Sequence, residues 1–219
     1  MSVLWQNMPS AAFKKGLYAP YLTVRESRER GGFGVGEYEF LDGEVTALNG
    51  EYYRQVAEGK LLPLDDDERL CFSSVTHFAP TNTDDLASGL TETTIQPVFL
   101  KAFETPNAIF AMRIDGVFDQ VATTAVPRQS EPFASFDKVP HVPFQFKALP
   151  GTLVCFYLPG FVAETGIAGF HFHFLSEDRT GGGHVTSFTL RKGVARWNRV
   201  SQFALQIPCG SDFDNATLT

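Results

Sequence analysis

The sequence predicts a strand-rich fold of mixed α/β (α+β) character, and three observations support this. Runs such as FHFHFL alternate with the period of two that is typical of strands. Pairs such as Asp42-Gly43 and Glu58-Gly59 interrupt these runs and are typical of tight turns. Segments with helical spacing are few and short. With 43% hydrophobic residues, the 219-residue chain can bury a sizeable core.

The first half of the chain contains one predicted helix and one predicted hairpin. The segment SAAFKKGLYAPYL favours a short helix that Pro20 stops. The glycines of Gly32–Gly36 are interpreted as turn residues rather than as a nucleotide-binding loop, because they do not link a strand to a helix. The runs EYEFL and EYYRQV then form two strands of a hairpin that turns at Asp42-Gly43.

The second half of the chain is predicted to consist mainly of strands. Residues 84–95 could form a helix with Asp84 as its N-cap. The segment IFAMRIDGVFDQVATTAV repeats the hairpin pattern around Asp115-Gly116, and TLVCFYL, FHFHFL, HVTSFTLRK and VSQFALQIP are further strands. A soft boundary lies near residues 104–107, but we expect a single domain over residues 1–219.

Charge and composition exclude several classes of partner. The net charge is −7 and the isoelectric point about 5.2, which favours neither nucleic acid nor anionic lipid. The three cysteines are odd in number and far apart, so we expect no disulfide framework and a reducing compartment. No signal peptide is recognisable, and no apolar run approaches the roughly 18 residues of a membrane helix. We therefore expect a soluble, cytoplasmic protein.

Three of the five histidines surround one glycine-rich turn: His171, His173 and His184. On a strand, His171 and His173 lie on one face, while the phenylalanines between and beside them lie on the other. An antiparallel partner that begins at His184 can bring the third imidazole close. Three imidazoles and one open position are typical of a catalytic zinc centre. The alternative is a polar strand face with three exposed or hydrogen-bonded histidines.

A second metal motif competes with this interpretation. His171, His173 and Glu177 have the H-x-H-x3-E order of the cupins, in which the glutamate is a ligand. Thr165 stands where cupins have a glycine, and the spacing of a second cupin motif is missing. A cupin-like metalloenzyme is therefore the lesser alternative.

Several segments together resemble the acetolactate decarboxylase family. They are GGFGVGEYEFLDGEV, MRIDGVF, VPRQSEPF, GTLVCFYLPGFV and, most specifically, GIAGFHFHFLSEDRTGGGHV, in the family's order. The resemblance implies two closely packed lobes with mixed and antiparallel sheets. It also implies a zinc enzyme that converts 2-acetolactate into acetoin, with His171, His173 and His184 as metal ligands and Glu44 at the reacting centre. From the residues alone, the favoured interpretation of Glu44 is a surface residue after a turn.

The sequence departs from the family's pattern around the expected substrate. Thr124 stands where the family has an arginine, and Glu37 where it commonly has threonine. Arg128, four residues after Thr124, could replace the arginine if strand alternation continues past Pro127, although it could also be a surface residue. The resemblance implies a second glutamate from a C-terminal tail, which has no counterpart before Thr219. The substrate-binding candidates are Thr124, Arg128 and Glu37.

The expected function is zinc-dependent decarboxylation of a 2-hydroxy-3-oxo acid. Loss of CO2 leaves electrons on the ketone oxygen, which a Lewis acid stabilises, and a buried Glu44 could protonate the new carbon. The alternative within the family is an altered or inactive member that binds zinc and a small ligand. The expected partner is a small molecule, not nucleic acid or membrane, and the chain could form a homodimer.

Overall fold

The computed structural model describes residues 2–218, so Met1 and Thr219, the ends of the expected domain, lie outside the described residues. The strands are β1 (Val3–Gln6), β2 (Leu22–Thr23), β3 (Phe33–Tyr38), β4 (Glu44–Leu48), β5 (Glu51–Gln55), β6 (Leu61–Pro63), β7 (Arg69–Thr76), β8 (Asn82–Leu86), β9 (Ile109–Ala125), β10 (Val142–Leu158), β11 (Gly169–Ser176), β12 (Gly182–Val200) and β13 (Gln202–Leu205). The helices are α1 (Ser10–Lys14), α2 (Val24–Arg30), α3 (Glu92–Phe103) and α4 (Ser211–Asp214), with 3-10 turns at Glu39–Leu41, Phe136–Lys138 and Gly160–Val162. The predicted strand-rich α+β fold is confirmed.

The strands form two sheets. The first has the order β13-β1-β7-β3-β4-β5-β6, with the short strand β2 beside β7. All its pairs are antiparallel except β1 with β13, so this sheet is mixed. The second sheet has the order β11-β10-β9-β12-β8 and is antiparallel. Because β11 also pairs with β12, four strands of the second sheet close into a ring.

Apolar side chains fill the second sheet and the space between the two sheets. The core of the second sheet contains Phe118, Phe174 and Phe188, whose rings meet edge to face, and α3 packs against this core. A separate cluster joins the sheets, with Phe33 from β3 packing edge to face against Phe156 from β10. Burial of such aromatic side chains is the main favourable contribution to the packing. The two sheets are therefore held in a fixed relation.

Two predicted turns are strands in the structure, and both corrections concern glycine. Asp115-Gly116 is not a hairpin turn, because β9 continues through it and Gly116 pairs with Gly151 and Gly193. A side chain at Gly116 would meet the carbonyl of Lys192, so glycine is needed for close strand approach. Likewise Gly34 and Gly36 lie within β3, between β4 and β7, rather than in a turn.

Other local predictions hold in part. The N-terminal helix is present but shorter than expected. The predicted strand EYYRQV is β5 and pairs with β4, while the hairpin around Asp42-Gly43 consists of β3 and β4. Its predicted run EYEFL is interrupted, because Phe40 and Leu41 have positive φ in a 3-10 turn. The second predicted helix is wrong at its start, since Asp84 lies in β8 and the N-cap of α3 is Thr91, in a capping box with Thr94. The predicted boundary at residues 104–107 is the connection from α3 to β9.

Two further expectations concern cysteine and membranes. Cys71 and Cys155 are buried with free thiols and Cys209 is exposed and free, in agreement with the expected absence of a disulfide framework. No helix in residues 2–218 combines the length and the apolar character needed to cross a membrane.

We expect Gly34→Ala to destabilise the fold strongly. The new methyl group would meet the carbonyl oxygen of Ser74 and the side chain of Val75 on β7, and neither can move without disturbing the strand pair. The expected loss is about 3 kcal/mol of unfolding free energy, measured by denaturant titration. Gly160→Ala is the matched control, because a methyl group there meets nothing within 4 Å. Equal stability of the two variants would contradict the close approach.

Candidate active site

The hairpin formed by β11 and β12 brings the three histidines together. His171 and His173 alternate with Phe172 and Phe174 along β11, and both phenylalanines are buried in the core of the second sheet. Across the hairpin, His173 pairs directly with His184 at the start of β12. The alternation that the sequence predicted therefore places three imidazoles on the face that turns away from the phenylalanine core.

The imidazole nitrogens converge on one point. Nε2 of His171 and Nδ1 of His184 are 3.0 Å apart. One ligand atom from each of the three histidines lies within 4.8 Å of the others. Nδ1 of His173 is 3.3 Å from the hydroxyl of Thr46, which leaves its Nε2 directed toward the other two rings and Glu44. Fixing one ring nitrogen so that the other serves as a ligand is typical of metal-binding histidine.

The protonation state of the rings suits a metal. Burial lowers the pKa of His171 and His173 well below the ordinary value, and the neighbouring imidazoles lower it further. Burial, followed by the charge of His141, lowers the pKa of His184 to about 4. The three rings are therefore neutral near pH 7, and neutral imidazole is the form that donates to a metal. The group fits a metal ion by donor type, number and spacing.

A pair of buried glutamates lies beside the histidines. Glu37 on β3 and Glu44 on β4 are direct cross-strand partners, and both side chains are almost fully buried. Oε2 of Glu44 is 3.5 Å from Nε2 of His173, and neither Glu37 Oε2 nor Glu44 Oε2 has a hydrogen-bond partner in the described structure. An unpaired oxygen of a buried carboxyl group is costly, so these atoms require a proton, a ligand or a metal as a partner.

Burial also makes this acid pair hold a proton. Burial raises the pKa of Glu37 well above the ordinary value, and the charge of Glu44 and a hydrogen bond with it raise it further. Burial raises the pKa of Glu44 as well, although the hydrogen bond from Glu37 offsets part of the rise. Two carboxyl groups this close cannot both ionise easily. The pair therefore retains at least one proton near neutral pH.

The two sheets meet at this site. The first sheet supplies Glu37, Glu44 and Thr46, and the second supplies the histidines. The backbone N–H of Gly182 donates to the side chain of Gln55 at 2.9 Å, which ties the histidine hairpin to β5. Packing of the two sheets against each other thus brings the acid pair next to the imidazoles.

A small cavity opens over these groups. Its volume is about 170 Å³, below the roughly 300–1,000 Å³ of pockets for drug-sized ligands, so it suits a small substrate. Apolar atoms form most of its wall surface, which limits the access of bulk water. It is lined by Ser10, Phe13, Lys14, Gly36, Glu37, Glu44, Phe72, Phe136, His141, Ile167, His171, His173 and His184.

Two of the predicted substrate-binding residues lie outside this lining. Thr124 is half-buried on β9 and pairs with His184, one strand away from the ligand group. Arg128 is exposed, and its guanidinium lies 3.8 Å from Glu39 and 3.7 Å from Asp42 and over the ring of Phe40. Strand alternation cannot carry Arg128 onto the face of Thr124, because β9 ends at Ala125.

Two lining residues were missed from the sequence. His141 was not among the predicted site residues, yet it lines the cavity and packs edge to face on Phe136. Lys14 was not predicted either, although it lies four residues after Ser10, the spacing that places two residues on one helix face. No local motif marks His141, because only the tertiary fold brings residue 141 to the site.

The cupin-like alternative finds no support. Glu177, which would be its carboxylate ligand, is exposed and is not part of the ligand group formed by the three histidines. Such a cavity, with imidazoles that can hold a metal and an acid pair that keeps a proton, is typical of a metal-dependent enzyme with acid–base chemistry.

Comparison with known proteins identifies the family. The model of the family described as alpha-acetolactate decarboxylase matches residues 4–219. Alpha-acetolactate decarboxylases from Methanosarcina mazei and Brevibacillus brevis are 33% and 30% identical, over 99% and 100% of this chain and 76% and 77% of theirs. A crystal structure of the Bacillus subtilis strain 168 protein superposes with a TM-score of 0.95 at 29% identity, covering 99% of this chain and 93% of that one. The chain belongs to the alpha-acetolactate decarboxylase family and is a carboxy-lyase of that type.

Proposed function

We propose that this chain converts 2-acetolactate into acetoin and CO2, with a zinc ion held by His171, His173 and His184. The observation that carries the proposal is the convergence of three neutral imidazoles beside a buried acid pair. Relatives about 30% identical over the whole chain carry the name of this activity. Zinc is the metal proposed because three imidazoles with an open position are its usual catalytic set.

The proposed reaction breaks one carbon–carbon bond and forms one carbon–hydrogen bond. The carboxylate leaves as CO2, and its bonding electrons pass to the neighbouring ketone as an enediolate. When bound, zinc supplies Lewis acidity toward the ketone oxygen. Glu44 then delivers a proton to the carbon that lost CO2, which completes acetoin. Water restores the proton to the acid pair afterwards.

The surrounding residues prepare Glu44 for that transfer. An acid must still hold its proton when substrate arrives, and burial raises the pKa of Glu44 in that direction. Glu37 shares a proton with Glu44 and so limits the charge on the pair. Phe13, Phe72 and Phe136 exclude bulk water, which would otherwise compete for the enediolate as an uncontrolled proton donor.

The direct test combines metal analysis with an assay of the wild-type protein. Protein purified without added metal is expected to contain about one zinc per chain, because the ligand group is a single site. The zinc-loaded protein should release CO2 from racemic acetolactate and form acetoin faster than the spontaneous reaction. Zinc without turnover would favour a family member that only binds a ligand, and absence of metal would contradict the metal assignment.

We expect Arg128→Ala to change kcat/KM for acetolactate by less than about fivefold. Arg128 is half-exposed and makes long ion pairs with Glu39 and Asp42, contacts that are worth roughly 0.2–1 kcal/mol. Steady-state kinetics of CO2 release is the measurement. Loss of nearly all activity would instead show that Arg128 has taken over the role of the family arginine, which Thr124 cannot fill.

A further inference from the structure

One face of helix α1 forms part of the cavity wall. Ser10, Phe13 and Lys14 line the cavity, at the i, i+3 and i+4 spacing that puts residues on one side of a helix. Ser10 and Phe13 are buried, whereas Lys14 is exposed. Lys14 therefore lies where the cavity meets solvent.

Lys14 is the one lysine or arginine among the described residues that line the cavity. The other ionisable groups there are two glutamates and four histidines, three of which are the proposed metal ligands. A substrate carboxylate would find no other fixed positive side chain in the wall.

The side chain of Lys14 is also available to bind a ligand. Within residues 2–218 no salt bridge involves Lys14, whereas Arg128 is paired with Glu39 and Asp42 and stacked on Phe40. Thr124 carries no charge and lies outside the cavity lining. A lysine without an ion-pair partner at the opening of such a cavity can attract and orient an anion.

We propose that Lys14 binds the carboxylate of the substrate at the cavity opening, while the ketone and hydroxyl oxygens face the histidines. The proposal rests on the function proposed above, since it assumes an anionic 2-hydroxy-3-oxo acid. The orientation suits the chemistry, because the carboxylate leaves as CO2 and the opening gives CO2 a direct exit. In this orientation, the carbon–carbon bond of the substrate that breaks lies with Lys14 on one side and the acid pair on the other.

The energetics predict which kinetic constant Lys14 controls. The negative charge that Lys14 attracts disappears from the carboxylate as CO2 forms. Its contact is therefore stronger in the bound substrate than in the transition state, and such a contact lowers KM without raising kcat. A mutation that removes the charge should raise KM and leave kcat unchanged or slightly higher.

The experiment compares Lys14→Met with Lys15→Met in zinc-loaded enzyme. Lys15 is exposed, follows Lys14 directly and does not line the cavity, so its loss controls for net charge. We expect Lys14→Met to raise KM for acetolactate roughly fivefold and Lys15→Met to leave it unchanged. Lys14→Arg should restore most of the affinity. Inhibition by acetoin, which has no carboxylate, should be the same in all variants.

Salt gives an independent measurement. The wild-type KM should rise with ionic strength, since an exposed ion pair is screened, and this dependence should be weaker in Lys14→Met than in Lys15→Met. An unchanged KM in Lys14→Met, or equal increases in the two variants, would overturn the proposal. An equal weakening of acetoin inhibition would also overturn it, because it would show a damaged cavity rather than a lost charge.

A binding measurement separates failure of this proposal from failure of the proposed function. The analogue 2,3-dihydroxy-2-methylbutanoate keeps the carboxylate but has no ketone to accept electrons, so it cannot lose CO2 by this route. Calorimetric titration into zinc-loaded protein should show weaker binding to Lys14→Met than to Lys15→Met, while the methyl ester should bind both alike. This result would support Lys14 even if the wild type releases no CO2. Equal binding of the anion to both variants would reject the role of Lys14.

Discussion

Replacing His171 and His173 together with alanine is expected to abolish metal retention and turnover. Only His184 would remain of the three proposed ligands, and a single imidazole does not hold zinc tightly. Without a Lewis acid, the electrons left by CO2 are not stabilised on the ketone oxygen. Elemental analysis gives the metal content, and CO2 release from acetolactate gives the turnover. Full stoichiometric metal retention in the double variant would contradict the assignment.

Two controls make this result specific. His77→Ala removes an exposed histidine outside the cavity lining and should change neither metal content nor activity. His173 is almost fully buried, so its truncation to alanine also leaves a void that could weaken the fold. A His171→Gln, His173→Gln variant fills more of that space and separates lost ligation from lost packing. Thermal unfolding of each variant without metal shows whether the fold is intact.

The histidine hairpin could be predicted because its signals are local. Alternation along a strand assigns His171 and His173 to one face and the phenylalanines to the core without any knowledge of the rest of the chain. The glycines before His184 mark the return of the chain, and the cross-strand pair of His173 with His184 follows. The predicted position of Glu44 near the metal ligands came instead from the family resemblance.

Long strands and helix starts were harder to predict, for a physical reason. Asp115-Gly116 has the sequence of a turn, but Gly116 is needed where three strands approach closely, and this depends on β10 and β12. Asp84 is a good N-cap by type, but its carboxylate accepts a hydrogen bond from the indole of Trp197 in a distant part of the chain. In both places a tertiary contact overrides the local preference.

The acid pair shows a different reason why part of the site could not be predicted from the sequence. Glu37 was predicted as a substrate-binding residue that replaces the family's threonine, but not as the partner of Glu44, which lies seven residues away in the sequence. Because the hairpin of β3 and β4 pairs them directly, two carboxyl groups that would be solvated in an extended chain share one buried space. Their proton affinity therefore arises from burial and pairing rather than from residue type.

Glu44 has an environment in which glutamine can replace it without steric change. Its side chain is almost fully buried, Oε2 has no hydrogen-bond partner in the described structure, and the nearest metal-ligand atom is Nε2 of His173 at 3.5 Å. Since burial raises its pKa above the unfolded value, ionisation of Glu44 works against folding as pH rises through the folded pKa. Glutamine cannot ionise, so the metal-free variant should unfold at no lower temperature than the wild type at pH 8.

Glu44→Gln is expected to lower kcat by roughly 100- to 10,000-fold, the usual contribution of a general acid, while zinc content stays the same. An amide keeps the shape and can donate a hydrogen bond to Glu37, but it cannot deliver a proton to the carbon that lost CO2. The three histidines are unchanged, so metal binding is preserved. Glu51→Gln, an exposed change on the neighbouring strand β5, is the matched control and should have wild-type kinetics. A Glu44→Gln enzyme with unchanged kcat would exclude Glu44 as the proton donor and leave Glu37 as the only other carboxyl group among the described residues of the cavity wall.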